Sequence, residues 1–274
     1  MKKLLVITGP TASGKTAEAI RLAREMDTEI LSCDSRQFYR EMRIGVARPS
    51  EEELAAATHH FIACRSVTAP YNISDYERNA MNLLSNLFLH HDTVIAVGGS
   101  GLYVDALRLG VSAMPDPTPE LRASLQEMPI EEKRAQLQLL DPDYYARVDL
   151  RNPMRLQRAL EVCLMTGRPY SQVIAEQRPV PRPFEVEVRV VTISPDELRT
   201  RIDCRVDQMM ADGLLDEVRS LLPYRHLSTL RTVGYRELFP VLDGTKNLAD
   251  AVAEIKLNTW HYARKQMTWC RRYM

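Results

Sequence analysis

The feature that most constrains this chain is a phosphate-binding loop near its start. Residues 9–16 read Gly-Pro-Thr-Ala-Ser-Gly-Lys-Thr and match G-x-x-x-x-G-K-[ST] at every fixed position. An apolar strand is predicted over 3–8 and an amphipathic helix over 16–26, which is the context that this motif requires. Inward-pointing backbone amides, the helix start and the Lys15 ammonium attract an anion, while the Thr16 hydroxyl suits magnesium (Mg2+). We therefore expect a di- or triphosphate ligand, bound by Gly9, Pro10, Thr11, Ala12, Ser13, Gly14, Lys15 and Thr16.

Composition limits the class of protein. The 274 residues, 45% hydrophobic and 26% charged, are typical of a globular protein with one large domain or two modest ones. Lys+Arg and Asp+Glu both number 36, so a nucleic-acid partner would need a local basic patch. Five scattered cysteines without a C-x-x-C pair favour reduced thiols in the cytoplasm over a zinc site. We expect neither a signal peptide nor a membrane span, because the first strand begins at once and no apolar run is long enough.

Two further predicted strands end in polar turns. The strand at 29–33 is followed by Asp34, and the strand at 93–97 is followed by Gly-Gly-Ser-Gly, which includes Ser100. Ligands of open α/β sheets bind at the carboxyl ends of strands, so both side chains are candidates for the cleft beside the loop. On position alone, Asp34 is explained equally well as a helix cap or turn residue, and Gly-Gly-Ser also forms plain tight turns. The strand at 93–97 does not end in the acidic residue of a usual Walker B strand, which argues against a simple NTPase.

Proline clusters at 114–119 and 179–183 mark residues 109–183 as an insert. Helices are predicted within it at 118–127, 130–140, 142–148 and 153–166. From Arg151 to Arg182 there are six arginines against two glutamates, a local basic excess that the neutral chain hides. Arginine suits bidentate phosphate contact, although an ordinary solvated face explains the pattern equally well. The expected architecture is a parallel α/β core of 1–108 and 184–274, with helices on both faces and a helical insertion at 109–183.

The remaining predicted elements complete this core. A strand is predicted at 185–192, a helix from Ser194 to about Leu222 that breaks near Gly213, and a long final helix over 247–272. Residues 40–75 read as mostly irregular, with a capped helix start at Ser50 to Glu53. The adjacent His59 and His60 do not predict a metal site, because neighbouring side chains point in different directions.

Six segments together resemble the bacterial tRNA dimethylallyltransferases, also called tRNA isopentenyltransferases. Beyond the loop at 9–16 they are Asp-Ser-Arg-Gln-Phe-Tyr-Arg (34–40) and Val-Gly-Gly-Ser-Gly-Leu-Tyr (97–103). Farther along come Asn-Pro-Met-Arg-Leu-Gln-Arg-Ala-Leu-Glu (152–161), Leu-Arg-Thr-Val-Gly-Tyr-Arg-Glu (230–237) and Arg-Lys-Gln-Met-Thr-Trp (264–269). The loop alone is widespread, but the ordered set spans nearly the whole chain and is highly specific.

The resemblance implies a reaction and a set of roles. The family moves a dimethylallyl group from dimethylallyl diphosphate to N6 of adenosine 37 in tRNA and releases diphosphate. It implies Asp34 as the base on the amine, helped by Ser100, and Lys15, Thr16 and Arg231 as catalytic groups around the departing diphosphate, with Mg2+ on Thr16. It implies an insertion that grips the anticodon stem-loop of tRNA, and we expect a monomer. The implied tRNA contacts are Asp34, Ser35, Arg36, Gln37, Ser100, Arg122, Met154, Arg155, Leu156, Gln157 and Arg158.

This sequence departs from the family in two places. Ser100 stands where threonine is usual, which keeps the hydroxyl and changes only methyl packing. Family members usually continue beyond the match to Trp269, so we expect differences only in the last contacts of the final helix. Two other functions fit the loop: a small-molecule or nucleoside kinase that uses ATP, with 109–183 as a lid, and an RNA-binding regulator without catalysis. The kinase needs no basic insert, and the regulator has no need of Lys15, Thr16 and Asp34.

Overall fold

The computed structural model describes residues 1–69, 71–111, 114 and 116–274, and it confirms the predicted parallel α/β fold class. The chain divides into two compact units. The first comprises Met1–Gly110 and Pro181–Met274, and the second comprises Val111–Val180. The insert predicted at 109–183 extends two or three residues beyond each end of the second unit.

The first unit is built on one five-stranded sheet. Its strands are β1 (Lys3–Thr8), β2 (Ile30–Ser32), β3 (His59–His60), β4 (Thr93–Gly98) and β5 (Glu185–Val190). All pairs are parallel and the spatial order is β3-β2-β4-β1-β5, so β1 has neighbours on both sides. An interior parallel strand is buried on both faces, which explains the unbroken apolar run at residues 4–7 of β1.

Thirteen α-helices are described along the two units. In the first unit they are α1 (Lys15–Glu25), α2 (Glu51–Ala56), α3 (Ile73–Leu87), α4 (Gly101–Leu109), α10 (Pro195–Ala211), α11 (Leu214–Ser220), α12 (Phe239–Leu242) and α13 (Leu248–Cys270). In the second unit they are α5 (Pro119–Glu127), α6 (Ile130–Leu140), α7 (Pro142–Tyr145), α8 (Pro153–Thr166) and α9 (Tyr170–Ala175).

Alternation along the strands sends side chains to two separate cores. Leu5 and Ile7 of β1 pack with α1, through Ala19 and Leu22 among others, on one face of the sheet. Leu4 and Val6, which alternate with them along β1, pack with α3 and α4 on the opposite face. A third core joins α10, α11, α13 and the segment 230–239. The sheet is therefore covered on both sides, and its strand ends are left to form a site.

The second unit has a small helical core of its own. Leu125, Leu137, Leu156 and Leu160 are fully or almost fully buried in it. The side chain of Asn152 caps α8 by accepting from the Arg155 amide, and Gly167 ends that helix in a left-handed conformation with φ of 66°. Both ends of α8 match the prediction, whereas α7 stops at Tyr145 and α9 was not predicted.

The histidine pair forms β3, an edge strand inside a region predicted as irregular. His60 Nε2 lies 2.6 Å from a Glu29 carboxylate oxygen, and His91 Nε2 lies 3.5 Å from the other oxygen. Among the described residues, no group of three or more His, Cys, Asp or Glu side chains is arranged to hold a metal ion. No helix in the described part of the chain has the length and apolarity needed to cross a membrane.

Candidate active site

A cavity of about 360 Å³ opens in the first unit where β1, β2 and β4 end. Residues from the phosphate-binding loop, from the turn after β2 and from helices α10 and α13 meet there. Its wall includes Thr11, Ala12, Gly14, Lys15, Thr16, Asp34, Ser35, Arg36, Gln37, Gly45, Val46, Ala47, Glu53, Gly98, Arg205, Met209, Thr232, Gly234, Thr259, Tyr262 and Gln266. The sheet therefore brings the loop and Asp34 to one cavity, as expected for carboxyl ends of adjacent parallel strands.

The loop adopts a backbone that exposes its amides. Ala12 and Gly14 take left-handed conformations, with φ of 64° and 89°, and α1 begins directly after Gly14. Lys15 Nζ donates to the Pro10 carbonyl at 3.2 Å. Gly9 lies against Val191, and the buried Ser13 hydroxyl has no hydrogen-bond partner among the described residues. The loop is thus shaped as an anion-binding concavity.

Burial lowers the pKa of Lys15 to about 8, partly offset by the Asp34 carboxylate, and the Arg205 cation adds to the lowering. Desolvation disfavours a charged ammonium, so this group is poised to gain from an anionic ligand. A bound diphosphate would supply the negative charge that the protein interior lacks at this point.

Arg205 is a loop-facing cation that the sequence did not reveal. It lies on α10, lines the cavity and places Nη1 3.4 Å from the Thr11 hydroxyl. Burial lowers its pKa, an effect that Glu53 opposes. Its helix carries two other arginines, Arg199 and Arg201, and only the packing of α10 distinguishes Arg205 from them.

Asp34 takes part in a local turn and also lines the cavity, the two placements that the sequence left open. Its Oδ1 accepts from the Arg36 amide at 2.9 Å, which is a local turn contact. The same side chain lines the cavity and lies close enough to Lys15 to affect the pKa of that ammonium. One carboxylate oxygen fixes the turn, and the group as a whole remains available to a ligand.

Ser100 lies behind the cavity wall rather than on it. Its Oγ accepts from the Ser35 amide at 3.1 Å and donates to the Ser35 hydroxyl at 3.2 Å. It precedes α4 but makes no side-chain capping bond with that helix. Tyr262 hydrogen-bonds with Ser100 and Gln266, and burial with the nearby Asp34 charge raises the pKa of this phenol to about 12. Ser100 therefore connects the turns that follow β2 and β4.

Gln37 supports another part of the wall. Its Nε2 donates to the carbonyls of Val46 and Ala47 at 3.3 and 3.0 Å. The preceding amides, those of residues 43–45, all donate to the carboxylate of Glu217 on α11 at 2.7–3.0 Å. Two side chains thus hold the 43–47 segment against the cavity.

A family model described as IPP transferase matches residues 37–273. The chain belongs to the IPP transferase family. It is 46% identical to tRNA dimethylallyltransferase 1 of Bacteroides thetaiotaomicron, over 99% of this chain and 89% of that protein. It is 44% identical to a tRNA dimethylallyltransferase of Christiangramia forsetii, over 98% of this chain and 90% of that protein.

Solved structures of the family have the same fold. A tRNA isopentenylpyrophosphate transferase from Bacillus halodurans superposes with a TM-score of 0.72 at 31% identity, covering 99% of this chain and 87% of that one. A eukaryotic dimethylallyltransferase acting on tRNA gives a TM-score of 0.84 at 25% identity, covering 98% and 70%. The resemblance seen in the sequence motifs and the parallel α/β fold are both confirmed.

Arg231, a family-motif residue, has an exposed side chain at the end of a short helical turn. The residues that follow it, Thr232, Val233 and Gly234, line the cavity. Its assignment to the diphosphate stays a prediction, whereas Arg205 already reaches the loop.

The remaining family positions lie in the second unit. Arg122 on α5 and Arg155 on α8 are exposed, as is Met154 at the start of α8. Arg158 pairs with Glu161 at 3.2 Å. The side chain of Leu156 is fully buried and the buried Gln157 donates to Glu161 at 3.0 Å, so both serve the interior of α8. Any contact of Leu156 with RNA would run through its backbone, because packing occupies its side chain.

Proposed function

We propose that this chain transfers a dimethylallyl group from dimethylallyl diphosphate to N6 of adenosine 37 in tRNA. Membership of the IPP transferase family and the named relatives make it a tRNA prenyltransferase. The observation that carries the finer proposal is one cavity bounded by a diphosphate-type loop and by Asp34. A donor and an acceptor could react there without crossing open solvent.

The acceptor needs a base because the adenine N6 amine is a weak nucleophile. In the proposed step, N6 forms a bond to C1 of the dimethylallyl group while the bond from C1 to the diphosphate oxygen breaks. The amine proton passes to the Asp34 carboxylate, and diphosphate leaves with the electron pair. The Arg36 amide orients this carboxylate through Oδ1, which supports its assignment as the base. The target base is stacked in the anticodon loop and must be flipped out to reach it.

The leaving group needs positive charge at the loop. The amides of residues 9–16, the N-terminus of α1 and the Lys15 ammonium would surround the departing diphosphate. Arg205 adds a second cation, because it lines the same cavity beside Thr11. The absence of a Walker B acid at the end of β4 is consistent with a reaction in which no water attacks a γ-phosphate.

Mg2+ fits this site as a companion of the diphosphate. The described residues offer no cluster of three acidic or histidine ligands, but magnesium often binds through substrate phosphates and a single protein group. Thr16 is half-buried and lines the cavity, and its hydroxyl would be that group. When bound, the ion would neutralise negative charge on the diphosphate oxygens.

We further propose that the second unit binds the anticodon stem-loop. The exposed Arg122 and Arg155 could contact phosphates, and recognition of a folded RNA loop depends on shape and backbone charge. The proposal extends to a monomer and to the cytoplasm; the five free cysteines support the second of these.

A direct transfer assay tests the proposed function. Purified protein, Mg2+ and unmodified tRNA with A36-A37 are incubated with labelled dimethylallyl diphosphate, and in parallel with ATP labelled in its γ-phosphate. The matched control is the same tRNA with guanosine at position 37. We expect label in the A37 tRNA from the allyl donor alone. Phosphate transfer from ATP without prenyl transfer would instead favour the kinase.

A further inference from the structure

One side chain on the cavity wall spans the two glycine turns. Gln266 on α13 is only 6% exposed. Its Oε1 accepts from the Thr11 amide in the diphosphate loop, and its Nε2 donates to the Gly99 carbonyl after β4, both at 2.8 Å. Helix α13 thus bonds, through a single amide group, to two separate segments of the N-terminal half of the chain.

The second turn is shaped around α13. A Cβ at Gly99 would lie 2.3 Å from Gln266 Nε2, and a Cβ at Gly101 would lie 2.4 Å from the Trp269 ring. Ser100 lies between these glycines and bonds to Ser35, the neighbour of Asp34. The position of α13 therefore determines where the Ser100 and Ser35 pair lies relative to the diphosphate loop.

An amide is suited to this position because it is neutral and offers one donor and one acceptor. A carboxylate would face the Gly99 carbonyl with a second acceptor and would add negative charge beside the loop. An apolar chain of the same length would leave the Thr11 amide and the Gly99 carbonyl without their partner.

We propose that Gln266 is a positioning residue for prenyl transfer, which holds the diphosphate loop and the 98–101 turn at a fixed separation. The leaving group and the Asp34 side of the cavity then keep the relative placement that the reaction needs. This inference rests on the proposed function, because it assigns Gln266 a part in that same reaction. Gln266 does not itself contact a reacting atom in this proposal.

The first test compares Gln266→Met with Gln208→Met, a control on α10 where the side chain of an exposed glutamine bonds to Asp212. We expect Gln266→Met to lower kcat at least about tenfold while the circular-dichroism spectrum stays native. Gln266→Glu should also weaken the binding of inorganic diphosphate with Mg2+ by about tenfold or more. The control should stay within about twofold of the parent protein. A Gln266→Met kcat within twofold of the parent would overturn the inference.

A double-mutant cycle separates positioning from general stability. In Gly99→Ala, the new methyl group displaces the Gln266 amide, so it should lower kcat about as much as Gln266→Met does. The double variant should be no slower than the slower single variant, because both changes break the same link. A double variant whose loss of kcat is the product of the two single losses would refute the link. If Gly99→Ala does not fold, Gln266→Met and Gln266→Glu decide. If the parent protein binds diphosphate but transfers no prenyl group, the proposed function is wrong. The double-mutant cycle can then be measured on diphosphate affinity, which still tests the link made by Gln266.

Discussion

The affinity of the loop for diphosphate should depend on pH through Lys15. Burial lowers the pKa of this ammonium to about 8, from 10.5 in a free side chain. Diphosphate favours the charged form, so binding raises this pKa and takes up a proton wherever the free protein has lost it. Below pH 8 the ammonium is already present and its contribution is constant; above pH 8 the affinity falls.

The size of this effect follows from the two protonation states. With a pKa of about 8, roughly nine-tenths of the Lys15 groups are charged at pH 7 and about one-tenth at pH 9. The association constant should therefore fall about tenfold over these two units from Lys15 alone, and diphosphate binding at pH 9 should take up nearly one proton.

Isothermal titration of inorganic diphosphate with Mg2+ in buffers of different ionisation enthalpy measures both quantities. The control is Lys15→Arg, which stays charged throughout this range. Because ligand and metal titrate alike with both proteins, the ratio of their association constants isolates Lys15. A ratio that stays constant from pH 7 to pH 9 would refute this account of the lysine.

Three other changes probe the base, the RNA contact and the wall of the cavity. Asp34→Asn keeps the acceptor for the Arg36 amide but cannot take a proton, so kcat in the transfer assay should fall about a hundredfold or more. Affinity for tRNA, measured by filter binding, should hardly change. Arg155→Ala removes an exposed cation of α8 and should weaken tRNA binding while lowering the slope of log K against log salt by about one. Glu217→Gln replaces the acceptor for three backbone amides and the Tyr235 hydroxyl, and should lower the free energy of unfolding in urea by about 1–3 kcal/mol.

Matched variants make these results specific. The control for Asp34→Asn is Asp92→Asn, which changes an exposed carboxylate that bonds to Lys2. The control for Arg155→Ala is Arg219→Ala, which removes an exposed arginine from α11 in the first unit. Asp216→Asn, the control for Glu217→Gln, changes the exposed neighbouring carboxylate, which pairs with Arg219. Near-native turnover in Asp34→Asn would remove this residue from the mechanism. An unchanged salt slope in Arg155→Ala, or equal stability losses at 216 and 217, would contradict the other two assignments.

Local patterns were sufficient wherever a feature depends on neighbours in sequence. The run at 3–8 forms the interior strand β1, and Asn152, Pro153 and Gly167 delimit α8 as predicted, because caps and periodicity act within a few residues. The short strand at His59 and His60 was not predicted, because it exists only through pairing with β2. Its two residues carry too little pattern to predict a strand by themselves.

The site shows the same division. The sequence alone was enough to predict the phosphate-binding loop, the placement of Asp34 after a neighbouring strand and a helical insert with an arginine excess at 151–182, because motif spacing, strand order and proline clusters encode them. Three features depend on long-range packing instead: Arg205 reaches Thr11, Gln266 joins two turns, and the side chain of Leu156 is buried. The first two contacts join residues separated by more than 160 positions, and the third depends on which face of α8 packs inward. Such choices are made when helices pack against each other, and no short stretch of sequence specifies them.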